Sequence, residues 1–272
     1  MKLQEIKAIL TEFGSGANKA LGQHFLIDPQ ALEAIVGAAQ VHVGDRILEI
    51  GPGLGVLSFA LKNAGAEVLA IEQDRRFIPR LQVQGIQVMH GDAASLDWDE
   101  IIGNESWKFV SNLPYSITSL AIRKALYRAH PPERLVVLIQ KEVAERILAR
   151  GGKHSLVSLM VSFASSSIRI VKLVKPGSFF PSPKVQSAIL EIIPLSSVER
   201  FEKWGVDPEH IMKIAKVGFA HPRKKVRSNL ITFSFTDGDF TEAGIAEHAR
   251  AEELKPEQWA KLVQIFLQKK TR

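Results

Sequence analysis

The pattern of apolar and polar positions predicts a chain built from alternating strands and helices. From Arg46 onward, short apolar runs alternate with stretches whose apolar residues recur at helical spacing. Strands and helices that alternate in this way indicate a parallel sheet covered by helices on both faces. The runs predict strands at Arg46–Ile50, Val68–Glu72, Ile86–His90, Lys108–Ser111 and Leu135–Gln140, with helices such as Leu54–Ala64 and Ser119–His130 between them.

The pattern changes in the last third of the chain. Two apolar runs, Ile168–Val174 and Ala188–Ile193, are joined by a Pro-, Gly- and Ser-rich segment too short for a helix, so we expect them to pair antiparallel at the sheet edge. After Pro194 the strand signal ends and helical spacing continues. We therefore predict an α/β domain with an N-terminal extension over residues 1–196, followed by a small all-helical domain over residues 197–272.

Composition restricts the possible classes of protein. The 272 residues are 46% hydrophobic and 24% charged, as in a globular protein with a substantial core. There are no cysteines, which excludes disulfides, thiolate metal ligands and cysteine nucleophiles. No apolar run approaches the ~18 residues of a membrane span, and Glu5 and Glu12 interrupt the first segment where a signal peptide would be apolar. We expect a cytoplasmic protein that is not attached to a membrane.

The basic residues are clustered, and their excess favours a polyanionic partner. The net charge is +6 and the sequence pI is about 9.5. Between Arg123 and Lys153 there are eight Lys or Arg against three Asp or Glu. We expect Phe219, Val226 and Leu230 to share one helix face, which would turn the basic side chains between them outward. This second basic cluster consists of Arg223, Lys224, Lys225 and Arg227.

A glycine-rich turn follows the first predicted strand of the sheet. Gly51, Gly53 and Gly55 have the spacing G-x-G-x-G, and Glu49 lies two residues before the first of them. Glycines at such a turn let the backbone approach a ligand. The spacing differs from the G-x-G-x-x-G of dinucleotide folds, and Pro52 has no N–H to offer a pyrophosphate.

Polar residues also end the next three strands. Glu72 is placed to accept hydrogen bonds from two ribose hydroxyls, and Asp92 to accept one from the amino group of an adenine. Asn112 ends the fourth strand. Open parallel sheets bind ligands at the carboxyl ends of their strands. Together these groups describe a nucleoside without phosphates, which indicates S-adenosylmethionine as the cofactor rather than NAD.

The tetrapeptide Asn112-Leu113-Pro114-Tyr115 has the parts needed to hold a planar amine. Pro114 keeps Leu113 extended, so the Leu113 carbonyl and the Asn112 amide oxygen can accept both hydrogens of one NH2 group. Tyr115 can stack on the ring that carries the amine. A strand end followed by a proline turn would explain the same residues without any ligand.

These motifs resemble those of the ribosomal RNA adenine N6-dimethyltransferases. Within that family, the chain most resembles the bacterial small-subunit enzymes. The segment from Lys19 to Leu26 resembles the family's N-terminal cofactor segment, with His24 where the family often has Asn. Residues 112–115 resemble the catalytic motif. Residues 179–187 resemble the F-x-P-x-P-K-V-x-S loop, and residues 219–230 resemble a basic stretch of the helical domain.

The resemblance implies a fold, a reaction and a set of partners. It implies a class I S-adenosylmethionine-dependent methyltransferase, Rossmann-like in fold, that uses no metal. His24 and Leu26 would lie in the cofactor site, Gly51 and Gly53 would contact the methionine part, and Phe179, exposed in its Pro-rich surroundings, would help to enclose the target base. The expected substrate is a pair of adjacent adenines in the 3'-terminal hairpin of 16S rRNA, dimethylated in a pre-30S subunit by a monomeric enzyme. The second basic cluster would contact the RNA.

Three alternatives remain open from the sequence. The 23S rRNA methyltransferases of the macrolide-resistance type share the motifs, as do the mitochondrial transcription factors descended from this family. The protein could also act chiefly as a small-subunit assembly factor without catalysis. DNA adenine methyltransferases usually have an acidic residue where this chain has Asn112, which makes a DNA substrate the weaker hypothesis.

Overall fold

The computed structural model describes residues 1–14, 16–18 and 21–271. Lys19 and Ala20, the first two residues of the predicted N-terminal cofactor segment, lie outside the described residues. The rest of that segment, from Leu21 to Leu26, is described.

A seven-stranded sheet forms the centre of the larger part of the chain. Its strand order is β4-β3-β2-β5-β6-β9-β7, and the first five of these strands pair in parallel. β9 pairs antiparallel with β6 and lies beside β7. The fold class and all the strands predicted from the sequence are therefore confirmed, with ends that differ by a residue or, for β7, by up to three. The strands are β2 Arg46–Ile50, β3 Glu67–Glu72, β4 Gln87–His90, β5 Lys108–Asn112, β6 Arg134–Gln140, β7 Ser165–Val174 and β9 Ser187–Pro194.

Burial explains why these runs form strands. In β6 the five residues Leu135–Ile139 are fully buried, which requires cover on both faces of the sheet. The helix Pro29–Ala39 packs against β6. The described helices are α1 Leu3–Glu12, α2 Pro29–Ala39, α3 Val56–Asn63, α4 Ile78–Val83, α5 Trp98–Ile102, α6 Thr118–Leu126, α7 Lys141–Ile147, α8 Leu156–Ala164, α9 Ser197–Trp204, α10 Pro208–Gly218, α11 Val226–Asn229, α12 Asp237–Glu242 and α13 Pro256–Thr271.

A second, two-stranded sheet was not predicted from the sequence. β1, Phe25–Leu26, pairs antiparallel with β8, Phe179–Phe180. The Ile27 amide extends the ladder by donating to the Ser178 carbonyl at 2.8 Å. Two residues are too few for a periodic signal, so the sequence could not reveal this pairing. The small sheet holds the N-terminal segment beside the loop of residues 181–186.

The chain forms two compact units. One comprises residues 1–144 and 167–194, and the other comprises residues 145–166 and 195–272. The predicted boundary at 196/197 lies close to the second break, but α8 joins the C-terminal helices rather than the α/β unit. Leu159 and Phe163 explain this difference, because both are fully buried in the same apolar cluster as Trp259. No described helix is both long and apolar enough to cross a membrane.

The segment from Phe219 to Leu230 is not one helix, so the predicted shared helix face is wrong. α10 ends at Gly218 and α11 begins at Val226, and Pro222 lies in the turn between them. Val226 and Leu230 are nevertheless buried in one cluster. The buried Asn229 amide fixes the turn, because its Nδ2 donates to the carbonyls of Gly218 at 2.6 Å and His221 at 3.1 Å.

Gly55, at the start of α3, offers a test of how tightly the glycine-rich turn is packed. Its φ is +83°, and an added Cβ would lie 2.5 Å from Phe59 Cζ and 2.8 Å from Leu81 Cδ2. We expect Gly55→Ala to lower the free energy of unfolding by roughly 2–5 kcal/mol, from backbone strain plus overpacking. Urea denaturation would measure the loss.

Gly44→Ala is the matched control for this prediction. Gly44 has φ +85° and no atom within 4 Å of an added Cβ, so only strain of about 1–2 kcal/mol is expected there. Equal losses in the two variants would show that close packing at Gly55 contributes nothing.

Candidate cofactor and active site

The predicted polar strand ends meet along one edge of the sheet. The parallel register pairs Ile50 with Ile71, Glu72 with His90, and Leu48 with Phe109. Asp92, Glu72, the Gly51 turn and Asn112 therefore follow one another on adjacent strands. With neighbouring strands ~4.8 Å apart, the row is about 14 Å long.

A single pocket collects most of the predicted site residues. These lining residues come from the N-terminal segment, the glycine-rich turn and the four strand ends. They include His24, Leu26, Gly51, Gly53, Glu72, Asp92, Asn112, Leu113 and Tyr115.

The glycine-rich turn is packed against two other parts of the site. Gly51 and Gly53 have φ values of +66° and +55°. A Cβ at Gly51 would lie 3.2 Å from the Pro114 ring, and a Cβ at Gly53 would lie 3.0 Å from the Phe25 ring. Only glycine permits both the backbone conformation and the close approach. The turn therefore ties the N-terminal segment to the tetrapeptide at the end of β5.

Glu72 is a buried carboxyl group held by the backbone. Its side chain accepts hydrogen bonds from the Gly53 amide at 2.8 Å and from the Asp74 amide at 2.7 Å, and the residue is 5% exposed. Burial raises the pKa of Glu72, against the lowering effect of these two amides. Each carboxylate oxygen has a second lone pair, so the group can still accept hydrogen bonds from a ligand.

Glu49 is a site residue to which the sequence assigned no role. It lines the pocket, is 1% exposed, and accepts a hydrogen bond from Ser58 Oγ at 2.5 Å. Burial raises the pKa of Glu49 to about 8, opposed by Ser58 and assisted by the charge of Glu72. The sequence signal that could have identified Glu49 is the presence of a carboxylate inside the apolar run of β2. A carboxylate is almost never fully buried without a partner, so this position indicates a functional residue.

Asp92 lies at the exposed end of the row. Its Oδ1 accepts a hydrogen bond from the Ala94 amide at 2.8 Å, and its main-chain carbonyl accepts one from the Ser95 side chain at 3.0 Å. The first bond orients the carboxylate, and the second closes a tight turn after β4. Its remaining lone pairs can accept hydrogen bonds from a ligand in the pocket.

Asn112 is oriented by the N-terminal segment. Its Nδ2 donates to the main-chain carbonyl of His24 at 3.1 Å. Because a carbonyl can only accept, this bond assigns the NH2 end of the amide and leaves Oδ1 as an acceptor in the pocket wall.

Leu113 and Tyr115 complete the tetrapeptide site. The Leu113 amide donates to the Leu138 carbonyl at 3.2 Å, whereas no hydrogen bond from the described residues reaches the Leu113 carbonyl oxygen. The Tyr115 hydroxyl is hydrogen-bonded to Ser187 Oγ at 2.8 Å, and burial raises the pKa of Tyr115. The side chain of Tyr115 is thus anchored at its far end and its ring is held in the pocket.

Phe179 departs from the predicted site. The ring is 3% exposed, packs in the core of the α/β unit and does not line the pocket. Its pairing with Leu26 across the small sheet explains the burial. The predicted exposure of Phe179 is therefore wrong.

The second basic cluster lies in the helical unit and is not uniform. Arg223 and Lys224 are exposed and form no ion pair with any residue that the structure describes. Lys225 is paired with Glu247 at 3.4 Å. Arg227 is only 18% exposed, is paired with Asp237 and lies over the Phe240 ring.

The sheet order and the strand-end pocket define the Rossmann-like fold of the class I methyltransferases. The chain superposes on solved structures that have this fold. A dimethyladenosine transferase from Plasmodium falciparum superposes with a TM-score of 0.73 at 24% identity, covering 91% of this chain and 98% of that one. A 23S rRNA methyltransferase, ErmE, superposes with a TM-score of 0.66 at 24% identity, covering 88% and 98%.

Sequence comparison identifies the family. The family model described as ribosomal RNA adenine dimethylase matches residues 14–268. A ribosomal RNA small subunit methyltransferase A from Dehalococcoides mccartyi is 35% identical, over 96% of this chain and 92% of the relative. One from Syntrophotalea carbinolica is 36% identical, over 91% and 96%. The chain belongs to the ribosomal RNA adenine dimethylase family.

Glu49 gives a pH-dependent prediction. Because its folded pKa of about 8 exceeds its ordinary value of 4.5, the folded state binds the extra proton between these pH values. The free energy of unfolding should therefore fall as pH rises through this window, and Glu49→Gln should remove the part of that fall that Glu49 contributes, leaving the part due to the raised pKa of Glu72. Between about pH 5 and pH 8.5, we expect the variant to gain roughly 2–4 kcal/mol relative to the unaltered protein.

Urea denaturation at the two pH values would measure this relative gain. Glu67→Gln, on the exposed first residue of β3, is the control and should show no such dependence. A difference between Glu49→Gln and the unaltered protein that is the same at both pH values would contradict the raised pKa.

Proposed function

We propose that this protein transfers methyl groups from S-adenosylmethionine to the N6 amines of two adjacent adenines in small-subunit ribosomal RNA. The observation that carries the proposal is the pair of acceptors at the end of β5, the Asn112 amide oxygen and the Leu113 carbonyl. They match the two hydrogens of one adenine amine. Membership of the ribosomal RNA adenine dimethylase family supports the choice of RNA as substrate.

The residues at the strand ends suit the cofactor. Glu72 and Asp92 offer acceptor oxygens for ribose hydroxyls and for an adenine amine, and the backbone of Gly51 and Gly53 lines the same pocket. The buried carboxyl groups of Glu49 and Glu72 are compatible with a cationic ligand. When bound, S-adenosylmethionine supplies an electrophilic methyl group on a sulfonium.

The acceptors explain how a poor nucleophile would react. The lone pair of an adenine amine is delocalised into the ring. In the first transfer, Asn112 Oδ1 and the Leu113 carbonyl, by holding both N–H groups, favour a tetrahedral nitrogen whose lone pair projects out of the ring plane. These contacts strengthen as the nitrogen gains positive charge, so they stabilise the transition state more than the ground state. The nitrogen then loses to water a proton that has become acidic, without a dedicated base.

Several observations favour the small-subunit substrate over the alternatives. The relatives that are 35% and 36% identical carry the name ribosomal RNA small subunit methyltransferase A. The likeness to ErmE is at 24% identity and concerns the fold. We also propose that the substrate is the RNA of a pre-30S particle. The protein would act on it in the cytoplasm, as a monomer.

Asn112→Ala tests the proposed role of the amide. Loss of one charge-assisted hydrogen bond in the transition state should lower kcat roughly 10- to 100-fold. The assay measures transfer of a labelled methyl group to small-subunit RNA from cells that lack the protein, with N6-methylated adenines identified by mass spectrometry. Large-subunit RNA should accept no label.

The matched control is Asn104→Ala, an exposed amide in the turn before β5 that should leave transfer unchanged. Full activity of Asn112→Ala would overturn the proposed mechanism. Transfer to large-subunit RNA instead would overturn the proposed substrate.

We further propose that Arg223 and Lys224 contact RNA phosphates. They are the two members of the second basic cluster that have no ion pair with a described residue, and the Asn229 hydrogen bonds fix the turn that presents them. Lys225 and Arg227 would have to leave acidic partners first. Exposed cations without an acidic partner are suited to releasing counterions from RNA.

The double variant Arg223→Ala/Lys224→Ala should weaken RNA binding and reduce its dependence on salt. Loss of two phosphate contacts should lower the slope of log K against log salt by about 1.4 to 1.8 in magnitude. Fluorescence anisotropy over a range of salt concentrations would measure the slope. Lys213→Ala/Lys216→Ala removes the same charge from exposed positions on α10 and should have a smaller effect. Equal slopes in the two double variants would contradict a local phosphate site.

A further inference from the structure

The helix α9 exposes two apolar side chains to solvent. Val198 is 64% exposed and Phe201 is 58% exposed. Among the residues that the structure describes, Phe201 is the one exposed aromatic side chain, since every other phenylalanine, tryptophan and tyrosine is buried or half-buried. Aromatic rings are enriched at the centres of protein interfaces, where a few side chains supply most of the binding energy. Phe201 is therefore suited to anchor a partner.

The opposite side of α9 fixes the orientation of the helix. Arg200 and Trp204 lie one turn apart and are both buried. Arg200 Nε donates to the Leu195 carbonyl at 2.8 Å, and Trp204 Nε1 donates to the Phe163 carbonyl at 3.1 Å. The Trp204 ring also packs edge-on against the Phe163 ring, with the two centroids 5.0 Å apart. These contacts hold the other side of α9 towards solvent.

Three neighbouring residues form the solvent side of α9. Phe201 and Glu202 follow Val198 by three and four positions, the spacing at which side chains of a helix lie next to each other. At about 100° per residue, they point away from the buried Arg200 and Trp204. All three are exposed. We call Val198, Phe201 and Glu202 the α9 face.

The charge around the α9 face is negative, although the chain as a whole is basic. Residues 197–210 contain four Asp or Glu against two Lys or Arg, whereas residues 211–230 contain six Lys or Arg and no Asp or Glu. Of the two basic residues, Arg200 is buried and Lys203 donates to the Ser165 carbonyl at 3.2 Å. The four acidic side chains are exposed and form no ion pair with any described residue. They are Glu199, Glu202, Asp207 and Glu209.

We propose that the α9 face docks onto a protein component of the small-subunit particle, at a site where Lys or Arg side chains surround an apolar recess. This role rests on the proposed function, which makes a particle of RNA and protein the substrate. Unpaired carboxylates beside the exposed ring repel the phosphates of RNA and attract a basic protein surface. Val198 and Phe201 fill the recess, and Glu202 pairs with a cation at its rim.

Two substitutions test the ring and the charge separately. Phe201→Ala removes the anchor and should raise the Kd for pre-30S particles roughly 5- to 30-fold. Glu202→Lys brings a cation against a basic surface and should raise the same Kd about fivefold or more. Both side chains are exposed, so neither change should unfold the protein. The particles are isolated from cells that lack the protein, and fluorescence anisotropy of the labelled enzyme measures binding.

Matched controls separate the α9 face from general surface effects. Val83→Ala removes an apolar side chain that is 83% exposed at the end of α4, and Glu67→Lys reverses a charge on the exposed first residue of β3. Both should leave the Kd for the particle within about twofold. Protein-free small-subunit RNA is the second ligand. All four variants should bind it within about twofold of the unaltered protein, because the α9 face contacts no RNA.

Three results would overturn the proposal. If Phe201→Ala weakens binding to protein-free RNA as much as to the particle, or if Glu202→Lys binds the particle more tightly than Glu67→Lys does, the α9 face contacts RNA. If both α9 variants bind the particle as the controls do, the face has no partner there. If sedimentation shows the unaltered protein as a dimer that Phe201→Ala dissociates, a second copy of the chain covers the face.

The outcomes also distinguish this proposal from the proposed function. If the unaltered protein transfers methyl groups and the α9 variants bind the particle as the controls do, only the docking role is overturned. If the unaltered protein transfers none to small-subunit RNA, the proposed function fails and the docking role fails with it.

Discussion

The in-register parallel pairing of β2 with β3 and β5 is the constraint on which the site depends. It brings the carboxyl ends of these strands to one edge of the sheet, so that Glu72, the glycine-rich turn and Asn112 become neighbours. The absence of a Cβ at Gly51 then lets the Pro114 ring approach within van der Waals distance. The glycine-rich turn and the tetrapeptide at residues 112–115 are consequently parts of one packed structure, and neither can shift without the other.

A second constraint comes from the two-stranded sheet of β1 and β8. It holds the N-terminal segment beside the proline loop, and from this position the His24 carbonyl orients the Asn112 amide. The burial of Glu49 and Glu72 in the same pocket has an electrostatic consequence. Glu49 and Glu72 are kept in a pocket that disfavours their charged forms, so a cationic ligand would restore a favourable environment for them.

The sequence predicted the sheet and the residues at its edge because both depend on local periodicity. Polar residues end or closely follow β3, β4 and β5, and the parallel arrangement brings such residues together. The sequence could not predict the burial of Phe179, because that burial follows from a two-residue pairing between segments about 150 positions apart. The helix predicted across Phe219–Leu230 failed for a local reason, since Pro222 interrupts it. The raised pKa of Glu49 depends on tertiary burial, which no local pattern reports.

The central claim is that Asn112 and Leu113 hold an adenine amine of small-subunit RNA for methylation. The most direct test measures N6,N6-dimethyladenosine in small-subunit RNA by mass spectrometry, in cells that lack the protein and are supplied with the unaltered or the Asn112→Ala chain. We predict that the modified nucleoside is restored by the unaltered chain and not by the variant, at equal protein levels. Full restoration by the variant, or unchanged modification in cells without the protein, would contradict the claim.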